Sequence, residues 1–202
     1  MAIVIVRHGE TDLNVARVVQ PKDTPLGSAG IRQAAALAKR LAQHSVDTIV
    51  CSDLKRAKMT AAPLAKALGM KPEYSELLRE RDLGIWCGTP YDRIPGDLFA
   101  ADYLPPKGEG WGAFYERVER AFAWVTELAR GRGGDVVVVT HGLVCVRMLA
   151  HHATRQPDTS LPTNWHNTGV SIIDAYPPHT VRVLNCVQHL SDLDGPRGVS
   201  GY

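Results

Sequence analysis

The sequence predicts an α/β fold, a three-layer α/β/α sandwich whose mainly parallel sheet contains one antiparallel strand. Unbroken apolar runs rich in β-branched residues, as at 2–6 and 136–139, are typical of strands buried on both faces. Stretches with apolar residues at helical spacing lie between such runs, and this alternation is typical of parallel sheets. The hairpin-like spacing of the last two predicted strands indicates the antiparallel member.

The elements follow from local patterns taken in chain order. Apolar β-rich runs predict strands at 2–6, 46–51, 71–75, 135–140, 169–175 and 180–187. Apolar stripes three and four residues apart predict helices at 29–43, 53–68, 112–130 and from 142 to about 151. Gly69 follows the second helix, where a C′ glycine is favoured, and Pro63 within that helix predicts a kink or a break.

We expect one domain over residues 1–202, with a lid-like segment at 84–111 and a loose tail at 191–202. The lid-like segment is dense in glycine and proline with interleaved aromatic residues. A long loop in a compact domain is usually functional. Its Trp86 and Trp111 are expected to be packing anchors rather than ligand contacts.

Composition excludes several classes of protein. The 23 basic and 21 acidic residues give a formal charge of +2, without the clustered basic face of a nucleic-acid-binding protein. The first apolar run is too short for a signal peptide, and no stretch approaches a membrane span. We therefore expect a cytoplasmic protein with no nucleic-acid or membrane partner. The eight histidines lack chelating spacing, so no metal site and no cofactor is predicted.

Four short motifs carry chemistry, and each follows a predicted strand. They are Arg7-His8-Gly9-Glu10, Ser52-x-Leu54-x-Arg56, Glu80 in the run 77–84, and Thr140-His141-Gly142. Taken singly, each motif is typical of a capped strand end or of solvated surface charge. Because the carboxyl ends of parallel strands meet at one edge of a sheet, we expect the four motifs to lie together there.

These residue types suit transfer of a phosphoryl group. Arg7 and Arg56 offer planar forks that match phosphate geometry, and their charge favours a neutral, nucleophilic His8. His141 is expected to be protonated and to add charge. Glu80, with its pKa raised near bound phosphate, is expected to be the proton donor to the leaving group.

Further hydrogen-bond donors for the phosphate are expected close to these motifs. Thr11, Asn14 and Gly142, with the amides that follow it, are the candidate substrate-binding groups.

Taken together, the motifs resemble those of the histidine phosphatase superfamily, with its phosphoglycerate-mutase-like fold. The resemblance covers roughly residues 2–190 and includes the stretches 7–14, 26–34, 52–57, 78–88, 108–109, 117–118, 140–142 and Asn167. It implies that His8 is phosphorylated transiently, with Glu80 as the acid. Two positions depart from the phosphatase pattern, since Cys87 stands where glutamate is usual and Gly110 where serine is common.

Three functions remain open at this point: a phosphatase, a cofactor-dependent phosphoglycerate mutase, and a non-catalytic module that binds phosphorylated ligands or a protein. The run Glu80-Arg81-Asp82-Leu83-Gly84 lacks the His and Tyr that the mutase branch shows there. Residues 85–110 also carry a net charge of −2, which we expect to disfavour a multiply anionic ligand. All five charged or nucleophilic positions are intact, which favours turnover over simple binding.

The substrate is expected to be a small, singly phosphorylated molecule with some apolar body. Its identity and the oligomeric state, with a homodimer as one alternative, are left open by the sequence.

Overall fold

The computed structural model describes residues 1–156, 160–162, 164–193 and 199–201. The strands are β1 (Ala2–Arg7), β2 (Val46–Ser52), β3 (Glu73–Ser75), β4 (Asp135–Thr140), β5 (Asn164–His166), β6 (Val170–Asp174), β7 (Val181–Cys186) and β8 (Val199–Gly201). The α-helices are α1 (Asp12–Val15), α2 (Ser28–Leu41), α3 (Lys55–Leu68), α4 (Trp111–Arg130) and α5 (Gly142–His152).

Within the described residues, six strands form one sheet in the order β3-β2-β4-β1-β6-β7. The pairs β2–β3, β2–β4 and β1–β4 are parallel. Strand β6 runs antiparallel to both of its neighbours, β1 and β7. The predicted sheet with one antiparallel strand is therefore confirmed.

The sheet is covered by helices on both faces, which confirms the predicted three layers. Alternate residues of β1 pack to opposite sides: Ile3 and Ile5 lie in a core with α4 and α5, whereas Val4 and Val6 lie in a core with α2 and α3. The four valines of β4 divide between the two cores in the same way. Strands with no solvent-facing side have no polar positions, which explains the unbroken apolar runs.

Several details differ from the expectation. Helix α3 is continuous despite Pro63, and Gly69 ends it in the left-handed conformation, as predicted. The short helix α1 and the two-stranded sheet of β5 and β8 were not predicted, because segments of three or four residues show no periodicity.

Two predicted segments are also refined by the structure. The lid-like segment contains short 3₁₀ helices at Gly84–Trp86 and Tyr91–Arg93. Of the predicted loose tail, 199–201 pairs with β5, while 194–198 and 202 lie outside the described residues.

In the part of the chain that the structure describes, no helix combines the length and apolar character needed to cross a bilayer.

The loop that follows β1 is fastened to α2. The backbone N–H of Glu10 donates to Gln33 Oε1 at 2.8 Å, and the Glu10 carbonyl accepts from Gly27 N at 3.0 Å. Gly30 lies directly against this loop, because a Cβ added there would overlap the Glu10 carbonyl oxygen. The path of the chain just after His8 therefore depends on a helical glycine.

We expect Gly30→Ala to lower the free energy of unfolding by about 1–3 kcal/mol, because the added methyl group displaces backbone. Gly112→Ala in α4 is the matched control, since a Cβ there meets no heavy atom within 4 Å. Removal of that helical glycine should raise the free energy of unfolding by about 0.4–1 kcal/mol. Urea unfolding measures both changes. An unaltered midpoint for Gly30→Ala would contradict this contact.

Candidate active site

The two site histidines lie at the ends of neighbouring strands. In the parallel register of β1 and β4, Arg7 is opposite Thr140, so the next residues are His8 and His141. The His8 N–H donates to the Thr140 carbonyl at 2.8 Å, which joins the two strand ends. The ring centroids of His8 and His141 are 5.1 Å apart, and both side chains are buried.

A backbone carbonyl group determines which ring nitrogen of His8 carries the proton. Its Nδ1 lies 2.7 Å from the Gly9 carbonyl oxygen, which only accepts, so Nδ1 carries the proton and Nε2 keeps the lone pair. The Gly9 N–H in turn donates to Thr60 Oγ1 at 2.9 Å. Burial, followed by the charges of Arg56 and Arg7, holds the pKa of His8 well below its ordinary value. His8 is therefore neutral, with an unprotonated Nε2.

His141 is neutral as well, contrary to the expected imidazolium. Its side chain is inaccessible to solvent, and its Nε2 lies 2.8 Å from Ser52 Oγ at the end of β2. Burial first, then Arg56 and His8, hold the pKa of His141 well below its ordinary value. The loss of solvation on burial, with repulsion from the neighbouring cations added to it, outweighs any gain from a third cation.

Two buried arginines accompany the histidines. Arg7 is the last residue of β1 and donates to the Trp165 carbonyl. Arg56, in the first turn of α3, donates to the Pro21 carbonyl at 3.2 Å. Both are almost inaccessible to solvent, at 1% and 3% exposure, yet both line the cavity described below. Their position suits binding of an anion that replaces water.

Glu80 lies at the start of α5. Its Oε2 accepts from the Leu143 N–H, in the first turn of α5, at 3.2 Å. The backbone around Glu80 is held by Arg117 of α4, which donates to the carbonyls of Leu77 at 2.9 Å and Arg79 at 2.7 Å. The position of this carboxyl group is therefore set by two helices.

Of the predicted substrate-binding residues, only Asn14 lines the cavity. Thr11 is buried and caps α1, where its hydroxyl accepts from Asn14 N at 3.0 Å. Gly142 is buried as the first residue of α5, and Leu143 lines the cavity in its place. The predictions for Thr11 and Gly142 are thus not supported as direct contacts with the cavity.

The cavity carries a large excess of positive charge. Among the described residues, six cationic side chains and two carboxylates line it. The cations are Arg7, Arg17, Lys22, Arg56, Arg79 and Arg81, and the carboxylates are Glu80 and Asp82. Arg79 is compensated by Asp53, which accepts from its Nε at 2.7 Å. The remaining excess favours ligands with negative charge.

The lid-like segment contributes apolar surface to the cavity. Its lining residues are Cys87, Tyr91, Leu98 and Phe99. Burial raises the pKa of the Tyr91 phenol to about 12, so Tyr91 presents a neutral hydroxyl.

None of the four acidic residues of this segment lines the cavity, which corrects the expectation that its net charge would disfavour a multiply anionic ligand. Trp86 and Trp111 do not line it either and pack elsewhere, as predicted.

Arg81 holds the lid-like segment in place. Its guanidinium is buried and donates to three backbone carbonyls of that segment. They belong to Leu98 at 2.8 Å, Tyr103 at 2.7 Å and Glu109 at 2.9 Å. The same group lies 3.8 Å from the ring centroid of Trp111. The residue next to Glu80 therefore ties the cover of the cavity to the candidate acid.

Sequence reasoning assigned no role to Ser52, Arg17 or Lys22. Ser52 lies inside a quoted motif, but its contact with His141 depends on the register between β2 and β4. Arg17 and Lys22 are exposed side chains at the cavity mouth, and nothing in their pattern separates them from ordinary surface charge. Their closeness in sequence to His8 was the one available signal.

Comparison with known proteins agrees with this geometry. The model of the histidine phosphatase superfamily, branch 1, matches residues 3–186. The chain belongs to the histidine phosphatase superfamily.

Similar proteins of this superfamily include a mutase-like relative and two phosphatases of known structure. The chain is 32% identical over 205 residues to phosphoglycerate mutase-like protein 4 of Arabidopsis thaliana, covering 94% of this chain and 87% of that one.

The α-ribazole phosphatase of Shigella flexneri is similar with a TM-score of 0.77 and 27% identity, over 93% and 97% of the two chains. The mycobacterial glucosyl-3-phosphoglycerate phosphatase, solved with VO3, is similar with a TM-score of 0.75 and 28% identity, over 92% and 98%.

The described residues contain no cluster of three or more His, Cys, Asp or Glu side chains suited to a metal ion.

The two buried histidines make the stability of the protein depend on pH. Their pKa values lie below 6.5 in the folded state, so the unfolded chain binds more protons below about pH 6.5. The free energy of unfolding should therefore decrease as the pH falls from about 6.5 to 5, by up to about 1.4 kcal/mol per pH unit for each histidine.

We expect His8→Gln to reduce the dependence of the free energy of unfolding on pH. Urea unfolding at several pH values measures it, with His151→Gln on the exposed end of α5 as the control. Identical slopes for the wild type and His8→Gln would contradict a buried, neutral His8.

Proposed function

We propose that this protein is a metal-independent phosphoric monoester hydrolase that acts on a small phosphorylated metabolite through a phosphohistidine on His8. One observation carries the proposal: His8 keeps the lone pair on Nε2 beside two buried guanidiniums. Arg7 and Arg56 supply the positive charge that stabilises a migrating phosphoryl group, since such transfer depends on positioning and electrostatics.

In the first step, the lone pair of His8 Nε2 attacks phosphorus. The P–N bond forms as the ester P–O bond breaks, and the leaving oxygen takes the bond pair. Glu80, in its carboxylic acid form, gives that oxygen its proton, so an alcohol leaves instead of an alkoxide. Arg7 and Arg56 stay on the phosphoryl oxygens throughout.

In the second step, water hydrolyses phospho-His8. The Glu80 carboxylate takes a proton from a water molecule as the oxygen of that water bonds to phosphorus. The P–N bond breaks, its pair returns to Nε2, and inorganic phosphate is released with Glu80 protonated again. Hydrolysis of a phosphate monoester is among the slowest reactions known without a catalyst. Its division into two phosphoryl transfers, first to His8 and then to water, replaces one difficult step by two easier ones.

The substrate is proposed by class only. The apolar residues of the lid-like segment favour a metabolite with an apolar body, and Arg17 and Lys22 at the mouth favour one with further negative charge. The two neighbouring phosphatases are named for quite different substrates, which supports a common phosphoryl chemistry with a variable cover.

We expect His8→Ala to abolish turnover of p-nitrophenyl phosphate and of an alkyl phosphate, because no other group can accept the phosphoryl unit. Acid-labile radioactive phosphate should be trapped on the wild type after rapid mixing with labelled substrate, and not on His8→Ala. His151→Ala, at the exposed end of α5, is the control. Wild-type turnover by His8→Ala, or no phosphoenzyme on the wild type, counts against the mechanism.

We expect Glu80→Gln to slow hydrolysis of an alkyl phosphate by about 10²–10⁴-fold, the usual contribution of a general acid. Hydrolysis of p-nitrophenyl phosphate should fall far less, because nitrophenolate leaves without a proton. Steady-state kcat for both substrates measures this difference. Glu76→Gln, at an exposed neighbour that pairs with Arg79, is the control. Equal losses for the two leaving groups would exclude Glu80 as the acid.

A phosphoglycerate mutase is the second candidate, favoured by the mutase-like relative and by the cationic cavity. A mutase passes the phosphoryl group of His8 to a second hydroxyl instead of water. It should require a bisphosphoglycerate primer and interconvert phosphoglycerates faster than it releases phosphate. A third function, a binding module without turnover, would give neither phosphate release nor a phosphoenzyme.

A further inference from the structure

The hydroxyl group of Ser52, at the end of β2, lies against the side chain of His141. The proposed mechanism gives this hydroxyl no role. Ser52 is the last residue of β2 and is inaccessible to solvent. Two groups approach its Oγ: the backbone N–H of Leu54 at 3.4 Å and Nε2 of His141 at 2.8 Å. Nδ1 of His141 is buried and has no hydrogen-bond partner among the described residues.

The number of buried groups left without a hydrogen-bond partner decides which way the Ser52 hydroxyl points. A serine hydroxyl has one proton to donate and two lone pairs to accept with. Leu54 N can only donate, so it occupies a lone pair of Oγ. The hydroxyl proton then needs an acceptor, and Nε2 of His141 is the one near it. If Nε2 donated instead, both that proton and the Nδ1 lone pair would be buried without partners, which is costly.

We propose that Ser52 is a positioning residue that fixes His141 as the Nδ1–H tautomer, so that Nδ1 donates a hydrogen bond to the phosphoryl group. The second half rests on the proposed function, because it needs an anion beside His8. In the other tautomer, Nδ1 would present a lone pair to a phosphoryl oxygen, and the contact would be repulsive. The donor at Nδ1 thus depends on the hydroxyl at Nε2.

The surroundings explain why a tautomer rather than a charge is needed. Burial first, then Arg56, His8 and Arg7, lower the pKa of His141 and so oppose a ring that donates from both nitrogens. His8 carries its proton on Nδ1 as well, but there a carbonyl acceptor at Nδ1 selects it. In His141 a donor at Nε2 makes the same selection from the opposite side of the ring.

Long-range ¹H–¹⁵N correlation spectra of histidine-labelled protein report the tautomer directly. In the unliganded wild type we expect the His141 Nε2 signal to be of the unprotonated type and the Nδ1 signal of the protonated type. A wild-type spectrum with the proton on Nε2 would overturn the proposal without any variant. This outcome is independent of turnover, so it is distinguishable from failure of the proposed function.

Ser52→Ala removes the hydroxyl, and Ser171→Ala is its matched control. Ser171 is also a buried strand serine whose hydroxyl accepts from a backbone N–H, that of Asn185 at 2.9 Å, and it lies on β6 rather than at the end of β2. In Ser52→Ala the proton on His141 should move wholly or partly to Nε2, and in Ser171→Ala it should stay on Nδ1. An unchanged tautomer in a folded Ser52→Ala overturns the proposal.

Inorganic phosphate and kinetics test what the tautomer does. Phosphate should shift the Nδ1–H signal of the wild type, and Ser52→Ala should bind phosphate and turn over p-nitrophenyl phosphate at least about tenfold less well, as loss of an oriented donor implies. Ser52→Thr retains the hydroxyl and should restore part of kcat. An Nδ1–H signal that does not shift when phosphate binds, or a wild-type kcat in Ser52→Ala, contradicts the role of Ser52 in orienting this donor.

Discussion

The parallel pairing of β1 with β4 is the constraint on which the site depends. The hydrogen bond from His8 N to the Thr140 carbonyl extends that pairing one residue beyond the sheet and sets the two imidazoles 5.1 Å apart. Both strands are buried on both faces, so a slip in register by one residue would exchange the two cores and move the histidines apart. The packing of apolar side chains on both faces of these strands thus fixes a catalytic distance.

The site gathers positive charge in a dry place. Two nearly inaccessible arginines lie beside two buried histidines, and burial first, then the neighbouring charges, hold the pKa of both imidazoles well below its ordinary value. Such a site disfavours further cations and attracts an anion. In the proposed mechanism, the neutral histidines leave one ring nitrogen for attack and another for hydrogen bonding.

Strong periodic patterns made the fold predictable, since the buried runs 2–6 and 135–140 and the striped helices leave few other arrangements. The rule that parallel strands end at one edge of a sheet also predicts that Arg7, His8, Arg56 and His141 lie together. The sequence could not show which side chains contact one another or how neighbouring groups change a pKa. Thr11 proved to be a cap, burial and then the nearby charges hold the pKa of His141 low, and Ser52 contacts His141 across two strands.

The way in which Arg81 binds the lid-like segment bears on which of its residues can be substituted. It binds main-chain carbonyl groups, which every amino acid possesses, rather than particular side chains. Residues such as Tyr91 and Phe99 can therefore be replaced while the loop keeps its path over the reacting atoms. The side chains that this segment places in the cavity are thus free to vary without loss of the contacts made by Arg81.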